Sequence, residues 1–573
     1  MVLRSNADLS GGIKRQKNPK PFAMNHIYHP RPVTARRLLF TTILLLIGLA
    51  QLPAQLLGTY YIGGLWADYS GISEAVADLE AEGISGPVTF IIRPGRYYTR
   101  ATLRRITGAS KYNTITFRSA SGNSDDVMLI NTAYSPETDF VLKFNNARHY
   151  RLLGLLIISE STEYPGTIKV INEAYDLRIE KCELVARPEV TNARDQSVVY
   201  LAPLWSSQIY IRDNKIFGGS SGIYFFGSRD RYSTDTQITG NEIYGFKYSG
   251  ISVSELDGGQ LAGNVIRHSS RYSGARGILV RGWNGSNLRP VLIANNMISI
   301  VDSPSPAVGI YDSDYLQFYH NSLSKESGEL LLDVTDVQNM AVINNILRSG
   351  TGLVASIERT AGFTMDYNDL YTTGGSFARW NGRTVGTFGK WRLVSGKDAN
   401  SINVNPLFVG VADLHARSTS LIGAGTAVAS VATDFDAQAR NNPPCIGADE
   451  FNRYIKYPIW FGKSTVASVP QNHDTAGTDR DLTDSHVADG TSKRSVFPNP
   501  VEDELTVVLS DAYTGPVTFT VLDALGRRMH EARYVKDDHQ LRAALAVERL
   551  PAGAYQLHVA EGVKLSVKRF VKR

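Results

Sequence analysis

Residues 211–219 read IRDNKIFGG, and the centre of this stretch is an Asn, one variable residue and then Ile or Leu. The same pattern returns further along the chain at Asn241, Asn264, Asn296, Asn321, Asn345 and Asn368. Successive asparagines, counted from Asn214, are 27, 23, 32, 25, 24 and 23 residues apart. A repeat with a period in the twenties is typical of a solenoid, in which each repeat forms one coil of the chain.

A second short strand, which begins with Gly-Ile, follows in the same coils at residues 222, 250, 277 and 309. Two or three short strands per coil, with no convincing helix between residues 86 and 375, predict a parallel β-helix. Stacked asparagines about 4.8 Å apart would bond to one another and satisfy polar groups inside the turn. The register also places Cys182 where later coils carry asparagine. A ligand-binding cluster is the alternative, but seven asparagines at one register position favour the structural interpretation.

The ends of the solenoid need covers, because an open coil would expose apolar side chains and unpaired backbone groups. Residues 70–83 have the apolar spacing of a short amphipathic helix, and residues 86–98 alternate like a strand before a Pro-Gly turn. These two segments are predicted to cover the first coil. Residues 401–451 are rich in turn-forming residues and are predicted to close the last coil.

Four regions are predicted along the 573 residues: 1–54, a signal peptide with a basic leader; 55–461, the β-helix with its N-terminal helical cap; 462–495, a disordered linker; and 496–573, a small Ig-like antiparallel β-sandwich. The leader carries eight Lys/Arg and one Asp, and the apolar run that follows is too short to span a membrane. Met24 is an alternative start, and an N-terminal membrane anchor is the alternative to a signal peptide.

Composition excludes several classes of protein. Outside the basic leader the chain is slightly acidic, so no nucleic-acid-binding surface is expected. The two cysteines, Cys182 and Cys445, lie 263 positions apart, which excludes a disulfide framework.

The last 78 residues resemble the C-terminal sorting domain of the type IX secretion system of Bacteroidetes. The matching motifs are PNP (498–500), LDALGRR (522–528), LPAGAYQLHV (550–559) and the basic end VKLSVKRFVKR. The resemblance implies recognition of residues 496–573 by the secretion machinery, after the signal peptide has directed the chain to the periplasm. It also implies a location outside the cell or on the outer-membrane surface, with release of the protein or attachment to lipopolysaccharide. An Ig-like binding module is the alternative.

Residues 58–451 resemble the right-handed parallel β-helix proteins of the same bacteria, a single-stranded solenoid fold. The resemblance rests on the closing motif NPLFVG…ADLHARSTSLIGAG…DFDAQAR…IGADEF (405–451). It implies an all-β protein that is pectin lyase-like. Members of this broad family resemble pectate, alginate and chondroitin lyases, and many have no assigned activity.

Candidate binding residues follow from the alternation of the Gly-Ile strands. One predicted outward column contains Tyr224, Ser252, Leu279 and Tyr311, and a second contains Phe226, Ser254, Arg281 and Ser313. By this register Asp312 falls in an inward slot, so either the strand bends there or a carboxylate is buried and must be paired. The predicted substrate-binding residues are Tyr224, Arg229, Asp230, Arg231, Glu255, Asp257, Arg281, Trp283, Tyr311, Asp312 and Asp314.

These residue types suit a polysaccharide. Aromatic faces stack on the apolar C–H surface of sugar rings, and arginine pairs with the carboxylates of uronic acids. No cofactor is predicted, although paired acids are also the ligands that Ca²⁺ prefers. The expected function is binding or degradation of an extracellular polysaccharide by a monomeric protein. A lyase or glycoside hydrolase activity stays open, and a non-catalytic adhesin or structural protein is the alternative.

Overall fold

The structure is a computed structural model that describes residues 55–133, 135–161, 163–187, 194–268, 274–451, 493–497, 501–510, 515–523, 528–536, 540–561 and 564–573. The predicted signal peptide and most of the predicted linker lie outside these residues. Neither α-helix within the described ranges has the length and apolar character needed to cross a membrane.

Two α-helices are present in the described part of the chain, α1 (Ile72–Glu82) and α2 (Phe388–Ser395). Single 3₁₀ turns cover Ser124–Asp126, Pro136–Thr138, Arg194–Gln196 and Thr419–Leu421. The strands of the first 385 residues are β1 (Leu56–Ile62), β2 (Ile84–Ile92), β3 (Gly95–Tyr98), β4 (Ala101–Leu103), β5 (Ile115–Ser119), β6 (Val127–Asn131), β7 (Leu142–Arg148), β8 (Tyr150–Leu153), β9 (Leu156–Ser159), β10 (Ile168–Glu180), β11 (Glu183–Val185), β12 (Val199–Arg212), β13 (Lys215–Phe217), β14 (Ser221–Phe226), β15 (Ser233–Thr239), β16 (Glu242–Tyr244), β17 (Ser249–Ala262), β18 (Val265–His268), β19 (Arg276–Asn284), β20 (Val291–Ala294), β21 (Met297–Asp302), β22 (Val308–Tyr311), β23 (Leu316–Tyr319), β24 (Ser322–Ser327), β25 (Leu330–Thr335), β26 (Ala341–Ile343), β27 (Ile346–Ser349), β28 (Leu353–Glu358), β29 (Thr364–Asp366), β30 (Asp369–Thr372), β31 (Ala378–Trp380) and β32 (Arg383–Val385).

These strands stack as a parallel β-solenoid of roughly 11 turns. An eleven-stranded parallel sheet contains β3, β6, β9, β11, β13, β16, β18, β21, β24, β27 and β30, and the remaining strands up to β32 form a 21-stranded sheet. Left-handed backbone geometry bends the long strands at residues such as Glu255 (φ 57°) and Gly259 (φ 105°), so the larger sheet turns a corner in each coil. The predicted parallel β-helix is confirmed.

The repeated asparagines form one continuous ladder. Asn241 illustrates its bonding: Oδ1 accepts from the backbone N–H (3.1 Å) and the side-chain amide (2.9 Å) of Asn214, and Nδ2 donates to the Ile211 carbonyl (2.9 Å). The same three bonds recur at Asn264, Asn296, Asn321, Asn345 and Asn368. The Cys182 backbone N–H donates to Asn214 Oδ1 (2.9 Å), so Cys182 occupies the first rung, as its register predicts. The asparagines are structural.

The apolar residue two positions after each asparagine packs inside the solenoid. All seven are fully buried: Ile216, Ile243, Ile266, Ile298, Leu323, Leu347 and Leu370. Pairing in register places each of them directly over its counterpart in the next coil. The repeat is therefore explained by two stacks in adjacent positions, one of hydrogen-bonding amides and one of aliphatic side chains.

Helices cover both ends of this core. Helix α1 begins after Gly71, ends at Gly83 (φ 69°) and buries an apolar face on the first coil, as the sequence predicts. Helix α2 was not predicted from the sequence. Its Trp391 is fully buried against the last coil, and the indole Nε1 donates to Asp398 Oδ2 (2.7 Å).

Residues 401–451, called the strap below, close the last coil at their start, as predicted: Ile402 pairs with Asp369 of β30, and the Ile402 N–H donates to the Asn368 carbonyl (2.8 Å). Helix α2 and the hairpin of β31 and β32 also occupy that end, and the strap then runs back along the outer surface of earlier coils. It is tied to three successive coils: Asn295 Nδ2 donates to the Thr433 carbonyl, His320 Nδ1 contacts the Gly447 carbonyl, and Asn344 Nδ2 donates to the Thr426 carbonyl.

The C-terminal region contains β33 (Lys493–Phe497), β34 (Glu504–Ser510), β35 (Gly515–Leu522), β36 (Arg528–Lys536), β37 (Gln540–Ala546), β38 (Gly553–Glu561) and β39 (Lys564–Lys572). Antiparallel pairing gives the sheets β33-β34-β37 and β36-β35-β38-β39, which share one apolar core. The predicted small antiparallel β-fold is confirmed. Residues 498–500 and 524–527, which carry part of the sorting motifs, lie outside the described residues.

Candidate functional site

The outward side chains of β12, β14, β17, β19, β22 and β25 form a surface called the aromatic face below. Register pairing defines two columns. The first column contains Tyr200, Tyr224, Ser252, Leu279, Gly309 and Asp333, and the second contains Phe226, Ser254, Arg281, Tyr311 and Thr335. Residues of one column lie on successive coils, one strand spacing apart, so the face presents a linear series of side chains.

Two tyrosines of the first column have parallel rings. The ring centroids of Tyr200 and Tyr224 are 5.8 Å apart and their planes differ by 4°. Lys169 continues the column on the preceding coil, and its ammonium lies 5.7 Å from the Tyr200 ring centroid. The Phe226 side chain next to Tyr224 is 43% exposed. The sequence reasoning missed Tyr200 and Lys169, although the alternation of residues 198–203 carries the signal for Tyr200.

Tyr311 belongs to the second column, so the register predicted for its strand is wrong by two residues. Val308, rather than Ile310, pairs with Ile278. The Gly-Ile dipeptide of this coil is therefore not equivalent to those of the earlier coils. The Tyr311 ring folds back over Gly309, where a Cβ atom would lie 2.7 Å from the ring. Its hydroxyl donates to Asp333 Oδ2 (2.9 Å), and burial together with this carboxylate raises the pKa of Tyr311 to about 12.

Arg281 is the exposed cation of the aromatic face. Its guanidinium carbon lies 5.4 Å from the centroid of the Tyr311 ring, a cation–π contact. Among the described residues no carboxylate forms an ion pair with Arg281. The Tyr311 ring therefore holds Arg281 in place while leaving its N–H groups open to an anionic ligand.

Charged residues line the corner at the end of these strands. Glu255, Asp312, Asp336 and Arg359 all have left-handed backbone geometry, with φ of 57°, 50°, 56° and 49°. This geometry turns Asp312 outward, so the bend is confirmed and the carboxylate is exposed rather than buried. Arg359 forms two bonds to Asp336, from Nε to Oδ1 (2.6 Å) and from an amino group to Oδ2 (2.7 Å).

The other predicted site residues are distributed along the rim of the face. Arg229 Nε donates to Glu255 Oε1 (2.8 Å), with a buried carboxylate and an exposed guanidinium. Arg231 stacks over the Trp205 ring, 4.2 Å from its centroid, and Asp230 is exposed beside it.

Asp257 and Asp314 lie two coils apart in one further column, separated by Asn284. Asp314 accepts from Asn339 Nδ2 (2.9 Å). The two carboxylates are therefore not brought together.

Trp283 does not lie on an exposed turn, and its prediction as a surface residue is wrong. Gly282 (φ 61°) reverses the inward and outward alternation, so Trp283 points into the core and is 0% exposed. Its indole N–H donates to the Gly258 carbonyl (2.7 Å). No three metal-ligating side chains of the described aromatic face converge, which leaves the Ca²⁺ suggestion without a site there.

The stacked coils and their outward columns define the class of protein, a parallel β-helix with a C-terminal antiparallel β-domain. Residues 495–573 match the family model described as a secretion system C-terminal sorting domain. The protein is therefore a β-helix surface protein exported by the type IX secretion system to the cell surface or the extracellular space. This domain also implies interaction with the secretion machinery.

Residues 158–375 match the family model described as periplasmic copper-binding protein (NosD). Three similar solved structures are the Dettilon tailspike protein gp208 (14% identity, 53% of this chain, 58% of that chain, TM-score 0.37), the pectate lyase Pel9A (12%, 70%, 98%, 0.38) and the GH136 lacto-N-biosidase from Eubacterium ramulus (9%, 65%, 71%, 0.39). The chain thus spans 58% of the tailspike's length. No curated protein matches the chain.

Proposed function

We propose that the exported β-helix binds an extracellular polysaccharide along the aromatic face. The observation that carries this proposal is the pair of parallel rings of Tyr200 and Tyr224 on adjacent coils, bordered by the exposed Phe226. Aromatic rings attract the apolar C–H face of a sugar, and a column of rings along a rigid rod suits a chain of sugars better than a single one. Export of the protein places this face where such polymers occur.

The charged residues favour an acidic polymer. Arg281 is exposed, is held by the Tyr311 ring and has no carboxylate partner among the described residues. A guanidinium in this state pairs with a uronate carboxylate in bidentate fashion. Arg231 is likewise exposed and held over an aromatic ring, that of Trp205 at the rim, and it forms no ion pair with a described residue.

The test is binding of the purified protein to an array of acidic and neutral polysaccharides. Tyr224→Ala is expected to weaken binding of the preferred polymer by roughly fivefold, because a stacking contact with an aromatic ring contributes about 1 kcal/mol. Arg281→Gln is expected to weaken binding of acidic polymers selectively. Tyr371→Ala, at a half-buried tyrosine of the other sheet, is the matched control and should bind like the wild type.

Equal binding by Tyr224→Ala and Tyr371→Ala would refute the proposal and leave the non-catalytic adhesin or structural role. Degradation is a separate question, because it requires an acid and a base at one bond. Ultraviolet absorbance of unsaturated products would reveal a lyase. Attachment to lipopolysaccharide and the monomeric state stay predictions, tested by gel mobility of the cell-bound form and by light scattering.

A further inference from the structure

A polar cluster on the strap is unrelated to the aromatic face. One ligating atom from each of His415, Asp436 and Asp449 lies within 4.8 Å of the other two. The three residues come from separate turns of the strap, and the cluster packs beside the apolar contact between the strap and Met297. No residue of this cluster falls in the range 158–375 or among the predicted site residues.

The Asp449 carboxylate is the unusual member. Its residue is only 8% exposed, yet no described residue donates a hydrogen bond to it or lies within ion-pair distance of it. The nearby Arg440 is committed elsewhere, to Glu450, to Asn295 and to the Ala448 carbonyl. A largely buried carboxylate without a donor is unfavourable, because burial takes away most of its water. His415 and Arg440 are near enough to attract this carboxylate, but neither bonds to it, so the carboxylate lacks a direct cationic partner.

His415 is oriented for a ligand by a neighbouring carboxylate. Nδ1 bonds to Asp413, and Nε2 forms a hydrogen bond with Asp436 Oδ2 (3.1 Å), so a bound cation would take the place of the proton between these two atoms. In metal sites the ligating histidine commonly donates its second N–H to a carboxylate, which fixes the ring and strengthens the ligand. Asp413 occupies that second position, so Nε2 is the atom presented to the two other side chains.

We propose that His415, Asp436 and Asp449 bind one divalent transition-metal cation, which fastens the turns of the strap together. One imidazole nitrogen and two carboxylates suit Zn²⁺ or Mn²⁺. Ca²⁺ is disfavoured because it prefers oxygen ligands alone. With three protein ligands, the remaining coordination positions of the cation are left to water.

The test uses the purified, untagged chain after removal of metal with a chelator. Equilibrium dialysis against Zn²⁺, Mn²⁺ or Ca²⁺, followed by elemental analysis, is expected to give about one Zn²⁺ or Mn²⁺ per chain. Asp449→Asn should lower the affinity at least tenfold while folding normally without metal, because the Asp449 carboxylate accepts no hydrogen bond. Asp125→Asn, at an exposed acid of a 3₁₀ turn, is the matched control and should bind like the wild type.

Thermal unfolding provides an independent readout, because a cation that binds only the folded chain raises the melting temperature. Zn²⁺ or Mn²⁺ should stabilise the wild type and Asp125→Asn but not Asp449→Asn. Equal metal retention by the wild type and Asp449→Asn, or no retention by either, would overturn the proposal. Retention of Ca²⁺ alone would overturn the assigned class of metal.

Discussion

Replacement of one asparagine in the middle of the ladder tests the origin of the stability of the solenoid. In Asn296→Ala four side-chain hydrogen bonds are lost, to the Asn264 backbone N–H (3.0 Å), the Asn264 side-chain amide (3.0 Å), the Leu261 carbonyl (2.9 Å) and Asn321 Oδ1 (2.9 Å). The Asn264 N–H then faces a methyl group, and the Leu261 carbonyl loses its amide donor. A buried polar group left without a partner costs about 1–3 kcal/mol, so the two together cost about 2–6 kcal/mol.

The assay is equilibrium unfolding in urea, combined with hydrogen exchange read by mass spectrometry. Because each coil of a solenoid contacts only its neighbours, the loss of protection should be greatest in the coils from 238 to 321. Asn284→Ala is the control, since this half-exposed asparagine makes no side-chain hydrogen bond to a described residue, and a change within about 0.5 kcal/mol is expected. A loss of stability no larger in Asn296→Ala than in Asn284→Ala would refute the structural role of the ladder.

Two further predictions concern the covered end of the solenoid. Asp369 is fully buried, accepts from the Val404 N–H (2.9 Å), and has its pKa raised by burial to about 8. Since the folded pKa exceeds the unfolded one, stability should fall as the pH rises from about 4 to about 8, by about 1.4 kcal/mol per pH unit at most. Asp369→Asn should flatten this slope in urea unfolding at several pH values, and an unchanged slope would contradict the assignment. Trp391→Ala empties a fully buried position of α2 and should cost about 3–5 kcal/mol, with proteolysis beginning near the last coils. Cleavage that began instead at the first coils would argue against α2 as a cap.

Local patterns in the sequence were sufficient for most of the fold. The spacing of the asparagines gives the number of residues in each coil, because each coil must return the chain to the same point of the cross-section. The apolar spacing of α1 likewise reports the face that it buries. The course of the strap along earlier coils could not be predicted, since its bonds join residues such as Asn295 and Arg440 that lie 145 positions apart and follow no repeat.

The candidate site was predicted less well for a different reason. Outward positions depend on alternation, and a single left-handed residue reverses it. Gly282 moved Trp283 into the core in this way, and the bend at Asp312 moved a carboxylate out of it. The pairing of Tyr311 with Arg281 required the true register, which the dipeptide Gly-Ile alone did not reveal. The charged and aromatic residues of the candidate site could be recognised in the sequence, but which of them lie together on the surface depended on these bends.

The strap has a consequence for how this protein can change in length. A solenoid with uniform rungs tolerates the gain or loss of a whole coil, because the new neighbours offer the same bonds as the old ones. The strap is bound to Asn295, His320 and Asn344 on three successive coils, so an extra coil among these would separate anchors that a single segment must span. Duplication or deletion of coils is therefore compatible with the strap only on the N-terminal side of Asn295, which makes the first part of the rod modular and the second part a unit of fixed size.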